Sequence, residues 1–266
     1  YMTGANNTPE TDNYHISTNG GKTGTCPSAN LVDAYENADG TPFDWNSLTP
    51  GDDPYAGRDP RLQYSIVVND SQWNGRTMQC YDGGADGSGV MQATTTGYYL
   101  KKFLTDGLDL EKNQTSVHSW ILFRYAEILL NYAEAMNEAY GPDTDPFGDG
   151  KTARWAVNEV RGRVGMPPVT ASDETEMRNR IKHERRIELA FEDHRFWDVR
   201  RWGKADAESA LGVPVKGVSI TKTETGFTYA TKIVGTRTFQ EKMMLYPIPQ
   251  SEILRSAGKI EQNPGW

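Results

Sequence analysis

Cysteine is nearly absent from this 266-residue chain, which holds only Cys26 and Cys80. Two cysteines are too few for a disulfide-stapled scaffold or a cysteine zinc site. They can form one disulfide in an oxidising compartment or stay as two buried thiols. Histidine is also scarce, at four residues, and none falls in a recognisable catalytic setting. No run of 18 or more apolar residues occurs, so no segment reads as a membrane-spanning helix. The first 30 residues lack a basic start followed by an apolar stretch. No signal peptide is therefore visible, which leaves secretion open because mature chains lose that segment. Basic charge is in deficit: 28 Lys and Arg face 36 Asp and Glu, a net charge of −8. An acidic chain without a basic tail neutralises phosphates poorly, which argues against nucleic-acid binding. No Gly-x-Ser-x-Gly elbow, Walker loop or dinucleotide fingerprint is present.

Aromatic residues, by contrast, make up 11% of the chain. They argue against disorder despite a polar mean hydropathy of −0.68. A chain of this mass would expose about 43,000 Å² extended and about 11,600 Å² folded, enough burial for one large domain or two modest ones. Charge divides it unevenly. Residues 1–119 hold seven basic and fifteen acidic side chains, whereas residues 120–266 hold 21 of each. An acidic, loop-rich half therefore precedes a charge-balanced helical one.

The first 60 residues carry turn signals at Gly20-Gly21, Asp39-Gly40 and Thr49-Pro50. A short helix is expected within 30–37. A strand is expected over 61–68, where Leu62, Tyr64 and Ile66 alternate with polar neighbours. Residues 81–97 read as a Gly-rich loop and Thr-rich extended chain. Loops this long in a compact domain commonly carry function. Three aromatics stand beside amides or carboxylates, in Asp44-Trp45-Asn46, Gln72-Trp73-Asn74 and Tyr81-Asp82. A ring can cover the C–H face of a pyranose while such neighbours bind its hydroxyls, so Trp45, Trp73 and Tyr81 are the candidate ligand-binding residues. The same rings also suit core or loop-anchoring roles. Asp143, Asp145 and Asp149 share one loop, but Phe147 breaks the alternation a calcium loop requires.

Residues 120–140 form a helical pattern, with Ile121, Tyr125, Ile128, Leu129, Tyr132 and Met136 at three- and four-residue steps and a stop at Gly141-Pro142. Thr152 is a candidate N-cap for a second helix to Val164. Small residues at Ala133, Ala135, Ala153 and Ala156 allow close contact in a tetratricopeptide-type hairpin, which needs further helices to cover its face. A third helix is expected over 173–195. At about 100° per residue, Ile181, Glu184, Glu188, Phe191 and Arg195 all fall within about 40° of Met177. Two carboxylates and an arginine thus share an apolar face. Unpaired burial there would be costly, so Glu184 and Glu188 are expected to bind arginines drawn from Arg161, Arg163, Arg185, Arg195 and Arg200. The rival reading, a general acid/base pair, finds no supporting motif: Ile187 stands where a zincin helix needs histidine. Beyond Arg201, a hairpin is expected over 215–239 around Glu224-Thr225-Gly226, then extended chain over 244–249.

Several of these segments together resemble the SusD/RagB family. They include Arg124-Tyr125-Ala126-Glu127-Ile128-Leu129-Leu130-Asn131-Tyr132-Ala133-Glu134-Ala135, Val157-Asn158-Glu159-Val160-Arg161-Gly162-Arg163, and Glu184-Arg185-Arg186-Ile187-Glu188-Leu189-Ala190-Phe191-Glu192. Arg195-Phe196-Trp197-Asp198, Arg201-Trp202, Tyr246-Pro247-Ile248-Pro249 and the final Asn263-Pro264-Gly265-Trp266 extend the match, as does Arg58-Asp59-Pro60-Arg61-Leu62 upstream. The resemblance covers nearly all 266 residues but only the C-terminal portion of a typical member. It implies a mainly α fold of tetratricopeptide-type helical hairpins with long loops and a few short β-hairpins. Residues 1–119 would form the ligand-facing part, 120–202 the helical part, and 203–266 a hairpin and extended tail. It also implies a preceding half bearing a lipid-anchor cysteine. The expected protein is a cell-surface lipoprotein of the outer membrane that captures glycans and passes them to a SusC-type TonB-dependent transporter, without enzymatic activity or cofactor. A peptide or other polymer nutrient is the alternative ligand. A glycan-processing enzyme and a protein-only interaction module are rivals of other classes. The motifs that carry the resemblance are architectural, so no ligand contact transfers through them.

Overall fold

The computed structural model of the chain describes residues 4–49 and 51–266. Pro50, second residue of the Thr49-Pro50 turn signal, lies outside them. Short helices α1 (Thr8–Asn13), α2 (Ala29–Val32) and α3 (Arg61–Ser65) punctuate the loop-rich first half. Strand β1 (Ile66–Val67) pairs antiparallel with β4 (Tyr99–Leu100), and β2 (Gln72–Trp73) with β3 (Arg76–Thr77). Helices α4 (Tyr125–Tyr140), α5 (Ala153–Gly162), α6 (Glu174–Glu188), α7 (His194–Trp202) and α8 (Lys204–Leu211) follow. A long hairpin, β5 (Val215–Lys222) with β6 (Phe227–Gly235), precedes α9 (Gln250–Arg255). The fold is mainly helical with few short strand pairs.

Two apolar cores organise these elements. Leu129, Leu130, Ala133 and Met136 of α4 close against Ala153, Ala156, Val157 and Val160 of α5 and Met177 and Ile181 of α6. Ala133, Ala153 and Ala156 are fully buried, so the helices meet at small side chains as the sequence predicts, whereas Ala135 is exposed on the outer face of α4 and takes no part in that contact. Thr152 caps α5, its Oγ1 accepting from Trp155 N at 3.0 Å. Asp173 caps α6 through Glu176 N at 2.8 Å, and Glu176 accepts in return from Ser172 N at 2.8 Å. The second core gathers Tyr14, Tyr35, Tyr55, Leu62, Trp73, Tyr98 and Tyr99 from the loop-rich half with Val218 and Ile220 of β5 and Ile187 of α6.

The sequence reading is corrected at four places. Residues 61–65 are helical rather than extended. Asp59 Oδ1 accepts from Arg61 N at 2.9 Å and Pro60 sits at the N-cap, so a local cap outweighs the alternation. The first long helix starts at Tyr125 rather than at Trp120. The third helix ends at Glu188, not at Arg195, with Phe191 and Asp193 at φ 64° and 63°. Its last carbonyl, Glu188 O, is taken by distant cations, Lys102 Nζ at 3.2 Å and Arg124 Nη2 at 2.7 Å, and Lys102 also donates to Ala190 O in the turn beyond, at 2.9 Å. Cations at a helix C-terminus satisfy orphan carbonyls and oppose the dipole. The fourth correction is that a 3-10 turn occupies Glu241–Met244, so the extended chain begins after it. Cys26 and Cys80 are both free thiols.

The loop-rich half is tied together by a buried polar cluster. His15 Nδ1 lies 2.8 Å from Ser17 Oγ and 3.3 Å from Asp86 Oδ1, and Asp86 also accepts from Arg76 Nη1 at 2.8 Å and from Gln79 N at 2.9 Å. Although serine, histidine and aspartate meet, the Ser17 hydroxyl donates to Asp86 itself, and His15 and Asp86 are fully enclosed. The cluster is therefore a fastening rather than a nucleophile. Burial, reinforced by Arg76 and opposed by Asp86, depresses the His15 pKa from 6.5 to about 4. The unfolded chain takes up this proton first, so the stability due to neutral His15 is present above about pH 6.5 and declines as pH falls towards 4. About 3 kcal/mol should be lost across that interval. Denaturant titrations at pH 7 and pH 4.5, with His15→Gln as control, check this; equal acid sensitivity in the variant would refute it.

Candidate functional site

The hairpin β5–β6 builds one wall of a cleft. Alternation along β6 puts Phe227 and Tyr229 on the same face, because side chains two apart project together from a strand. The opposite wall is the 3-10 turn Trp45–Ser47, fixed by Asp44, whose Oδ1 accepts from Asn46 N at 2.9 Å. The cleft has a volume of about 500 Å³ and is lined by Trp45, Leu48, Thr49, Asp52, Phe227 and Tyr229 among others.

Trp45 is half-buried and held from several sides. Its Nε1 donates to Asp33 Oδ1 at 3.0 Å, its ring meets Phe43 edge-on at 5.1 Å, and Tyr229 lies 6.3 Å away at 38°. Arg58 in turn stacks on Phe43, with Cζ 3.6 Å from the ring centroid. Tyr229 is anchored from behind by Tyr55, edge-on at 5.7 Å. Burial pushes the Tyr229 hydroxyl up to about 12, so it is a neutral phenol at physiological pH. At the rim, Asp52 Oδ2 accepts from Thr49 N and Oγ1 at 2.7 and 2.8 Å, leaving Oδ1 without a partner among the described residues. Rigid rings with a carboxylate and hydroxyls at the rim suit an uncharged, polyhydroxylated ligand.

The three ring candidates separate. Trp45 lines the cleft. Tyr81 extends its aromatic row, lying 5.5 Å from Phe227 with Lys222 Nζ 5.2 Å from its own ring. Trp73 is placed elsewhere: it is 3% exposed, packed edge-on against Tyr14 at 6.2 Å, with no face open to a ligand. The neighbours Gln72 and Asn74 suggest an open ring, but β2 turns the indole inward. The sequence reading also confines ligand contacts to residues 1–119 and so omits Phe227 and Tyr229. Their only signal is the alternation in Phe227-Thr228-Tyr229, which does not reveal the wall they face.

The carboxylates of α6 lie in a buried ion network. Glu184 and Glu188 are 1% and 3% exposed. Glu184 Oε2 accepts from Arg161 Nη1 at 3.0 Å and Oε1 from Arg61. Glu188 accepts from Arg61 at 2.9 Å, Arg124 at 2.5 Å and Arg163 at 2.8 Å. Burial alone would raise the Glu188 pKa, but Arg124 and Arg61 outweigh it and hold it below the usual carboxylate range. Such saturated carboxylates are poor proton shuttles. Arg195 is not part of this network. Because α6 stops at Glu188, Arg195 falls on α7 and lies over Trp202, with Cζ 5.8 Å from the ring. Arg61 and Arg124, which the sequence reading does not anticipate, take its place.

No group of three or more His, Cys, Asp or Glu able to hold a metal ion occurs among the described residues. Asp145 instead accepts from the backbone of Gly148 and Gly150 at 2.9 and 2.8 Å.

Packed helices joined by a buried arginine–carboxylate network stand beside a loop-and-hairpin layer bearing an aromatic cleft. The chain belongs to the SusD family, whose model matches residues 1–266. A SusD-like protein of Bacteroides fragilis is 34% identical, with a TM-score of 0.76 over 93% of this chain and 48% of its own. A second protein of that organism, described as a SusD-like carbohydrate binding protein, is 30% identical, with a TM-score of 0.73 over 91% of this chain and 49% of its own. A SusD-like protein of Formosa agariphila is 29% identical over 182 residues, 65% of this chain and 31% of its own length. The chain thus spans about half the length of these solved relatives and a third of the curated one.

Proposed function

We propose that this chain binds carbohydrate at the cell surface, without turnover, and serves a TonB-dependent outer-membrane transporter of the SusC type. The Trp45–Tyr229 cleft carries the first part of this reading: two anchored rings and a polar rim match the alternating C–H faces and hydroxyls of a pyranose. The carbohydrate-binding description of the Bacteroides fragilis relative supports it. Binding without turnover is supported by the paired carboxylates of α6, which are buried and saturated with guanidiniums rather than free to act as an acid/base pair. Surface location and the transporter partner rest on family membership. No helix among the described residues is long and apolar enough to cross a membrane.

Trp45→Ala should weaken binding of a neutral oligosaccharide by about 0.5–1.5 kcal/mol beyond the loss of contact area, with longer sugars gaining from Tyr81 and Phe227. Affinity for a neutral sugar should vary little with salt. Calorimetry across a panel of neutral oligosaccharides, with wild type and Trp45→Ala, is the test. Unchanged binding in the variant would remove the cleft from the site. Co-purification of the transporter from outer membranes tests the second part separately.

A further inference from the structure

Trp45 stands on a segment with little else to fix it. Residues 43–49 hold one three-residue 3-10 turn, and only Phe43, Trp45 and Leu48 among them are even partly buried. The turn is closed by its own residues. Asp44 Oδ1 accepts from Asn46 N at 2.9 Å, Ser47 Oγ donates to Asp44 O at 2.7 Å, and Thr49 N donates to Asp52 at 2.7 Å. Among the described residues, Trp45 Nε1 to Asp33 Oδ1, at 3.0 Å, is the one hydrogen bond that ties residues 43–49 to an element outside this loop.

Asp33 itself is rigidly held. It closes α2 at φ −66° and ψ −22°, and the carbonyls on either side of it, Val32 O and Tyr35 O, accept from Arg58 Nη2 at 2.8 and 2.6 Å. The same guanidinium stacks on Phe43, the ring that meets Trp45 edge-on. One buried arginine, 6% exposed, therefore fixes both the carboxylate behind the indole and the ring beside it. Burial raises the Asp33 pKa, while the Trp45 N–H and then Arg58, Lys216 and Arg186 oppose the rise. The indole nitrogen has a single N–H to give, and its bond to a carboxylate is charge-assisted and directional, so it sets the rotation of the ring. A ring free to turn would have to be ordered when a ligand binds, whereas a tethered ring is ordered already.

We propose that Asp33 is the positioning residue of the carbohydrate cleft: through the Trp45 N–H it holds the indole beside Tyr229, in the orientation that receives the sugar. Asp33 lies behind the indole and is not part of the cleft lining, so it acts through Trp45 and not by touching the ligand. This role rests on the Trp45–Tyr229 cleft being the carbohydrate site, and it adds what makes the ring competent before a sugar arrives.

The test combines two measurements on the 266-residue chain. Proton–nitrogen correlation spectra follow the Trp45 indole N–H, assigned as the peak missing from Trp45→Ala. Calorimetry measures affinity for cellohexaose, maltohexaose, xylohexaose and mannohexaose. In wild type the Trp45 N–H should be protected from solvent exchange. In Asp33→Ala its peak should move upfield and exchange about tenfold faster. The panel sugar that wild type binds most tightly should then bind about threefold to tenfold more weakly, the equivalent of ordering one side chain. Asp33→Asn, whose amide oxygen accepts the same N–H, should restore the protection and bring affinity back to within about twofold of wild type. If Trp45→Ala weakens binding but Asp33→Ala does not, or if Asp33→Asn fails to recover what Asp33→Ala loses, the positioning role is overturned and the cleft reading stands. If Trp45→Ala leaves binding unchanged, or no panel sugar binds, the cleft reading falls and the positioning role falls with it. Should Asp33→Ala not fold, the wild-type spectrum and Asp33→Asn decide. A protected N–H that Asp33→Asn retains supports the role, and an N–H that exchanges freely in wild type overturns it.

Discussion

Glu188→Ala is expected to destabilise the protein by about 3–5 kcal/mol, the range for removing one partner of a buried ion pair. Glu188 receives Arg61, Arg124 and Arg163, and its removal leaves these guanidiniums one negative charge short. Arg61 cannot turn to water, being 5% exposed, and it retains only Asp59 and Glu184. Arg124 keeps Glu192, at 2.8 Å. The loss comes mainly from uncompensated positive charge rather than from lost volume, and a conservative change separates the two. Glu188→Gln keeps the shape and some acceptor capacity and should cost less, about 1–3 kcal/mol. Because the Glu188 pKa is depressed in the folded state, the stability it provides is present above the ordinary carboxylate pKa and is lost as pH falls through its lower folded value. The alanine variant should therefore show a flatter acid limb. Urea titrations at pH 7 and at acid pH are the measurement. A loss under about 1 kcal/mol at neutral pH would show that the network is not what holds α6 to the loop-rich half.

Trp73→Ala should cost a similar amount, about 3–5 kcal/mol, as large-to-small changes of buried tryptophan do. Trp73 is enclosed by the core that contains Tyr14, Tyr98 and Tyr99 and lies 5.3 Å from Lys101 Nζ. Little can collapse into the space, because the neighbouring rings are held by hydrogen bonds: Tyr14 to Thr105 O, and Tyr99 to Asp86 O at 2.7 Å. The contrast with Trp45→Ala is the informative one. Trp73→Ala should lower the unfolding midpoint and leave glycan affinity unchanged wherever the protein remains folded. Trp45→Ala should do the reverse, with only a minor change in stability. Loss of sugar binding by folded Trp73→Ala protein would restore Trp73 as a ligand contact.

Comparing the two tryptophans shows how far residue type and neighbours can be read. Both stand between polar residues, and sequence treats them alike. Only strand pairing turns Trp73 inward, whereas the Asp44 cap and the Asp33 hydrogen bond hold Trp45 at a cleft wall. The hairpin expected over 215–239 around Glu224-Thr225-Gly226 forms, though its pairing ends at Gly235, and its role as the opposite wall was not legible. That depends on β6 meeting residues 45–52, a contact between segments about 180 residues apart.

The sequence by itself determined that α4, α5 and the start of α6 are helical, though not that α7, α8 and α9 follow as separate helices. Period, small residues and the Thr152 and Asp173 caps are local properties, set by the backbone and side chains within one turn. It also required that Glu184 and Glu188 be paired, since their helical phase buried them and unpaired charge is too costly to bury. The choice among arginines belonged to the tertiary structure. Arg195 was the nearest candidate on the same helical face, but α6 ends before reaching it, where Lys102 and Arg124, from segments 64 to 86 residues earlier, take the last carbonyl, Glu188 O. Arg61 and Arg124 then occupy the place assigned to Arg195. Local periodicity records which face of a helix is buried. What meets that face, and where the helix must stop to meet it, is set by long-range packing that leaves no period in the chain.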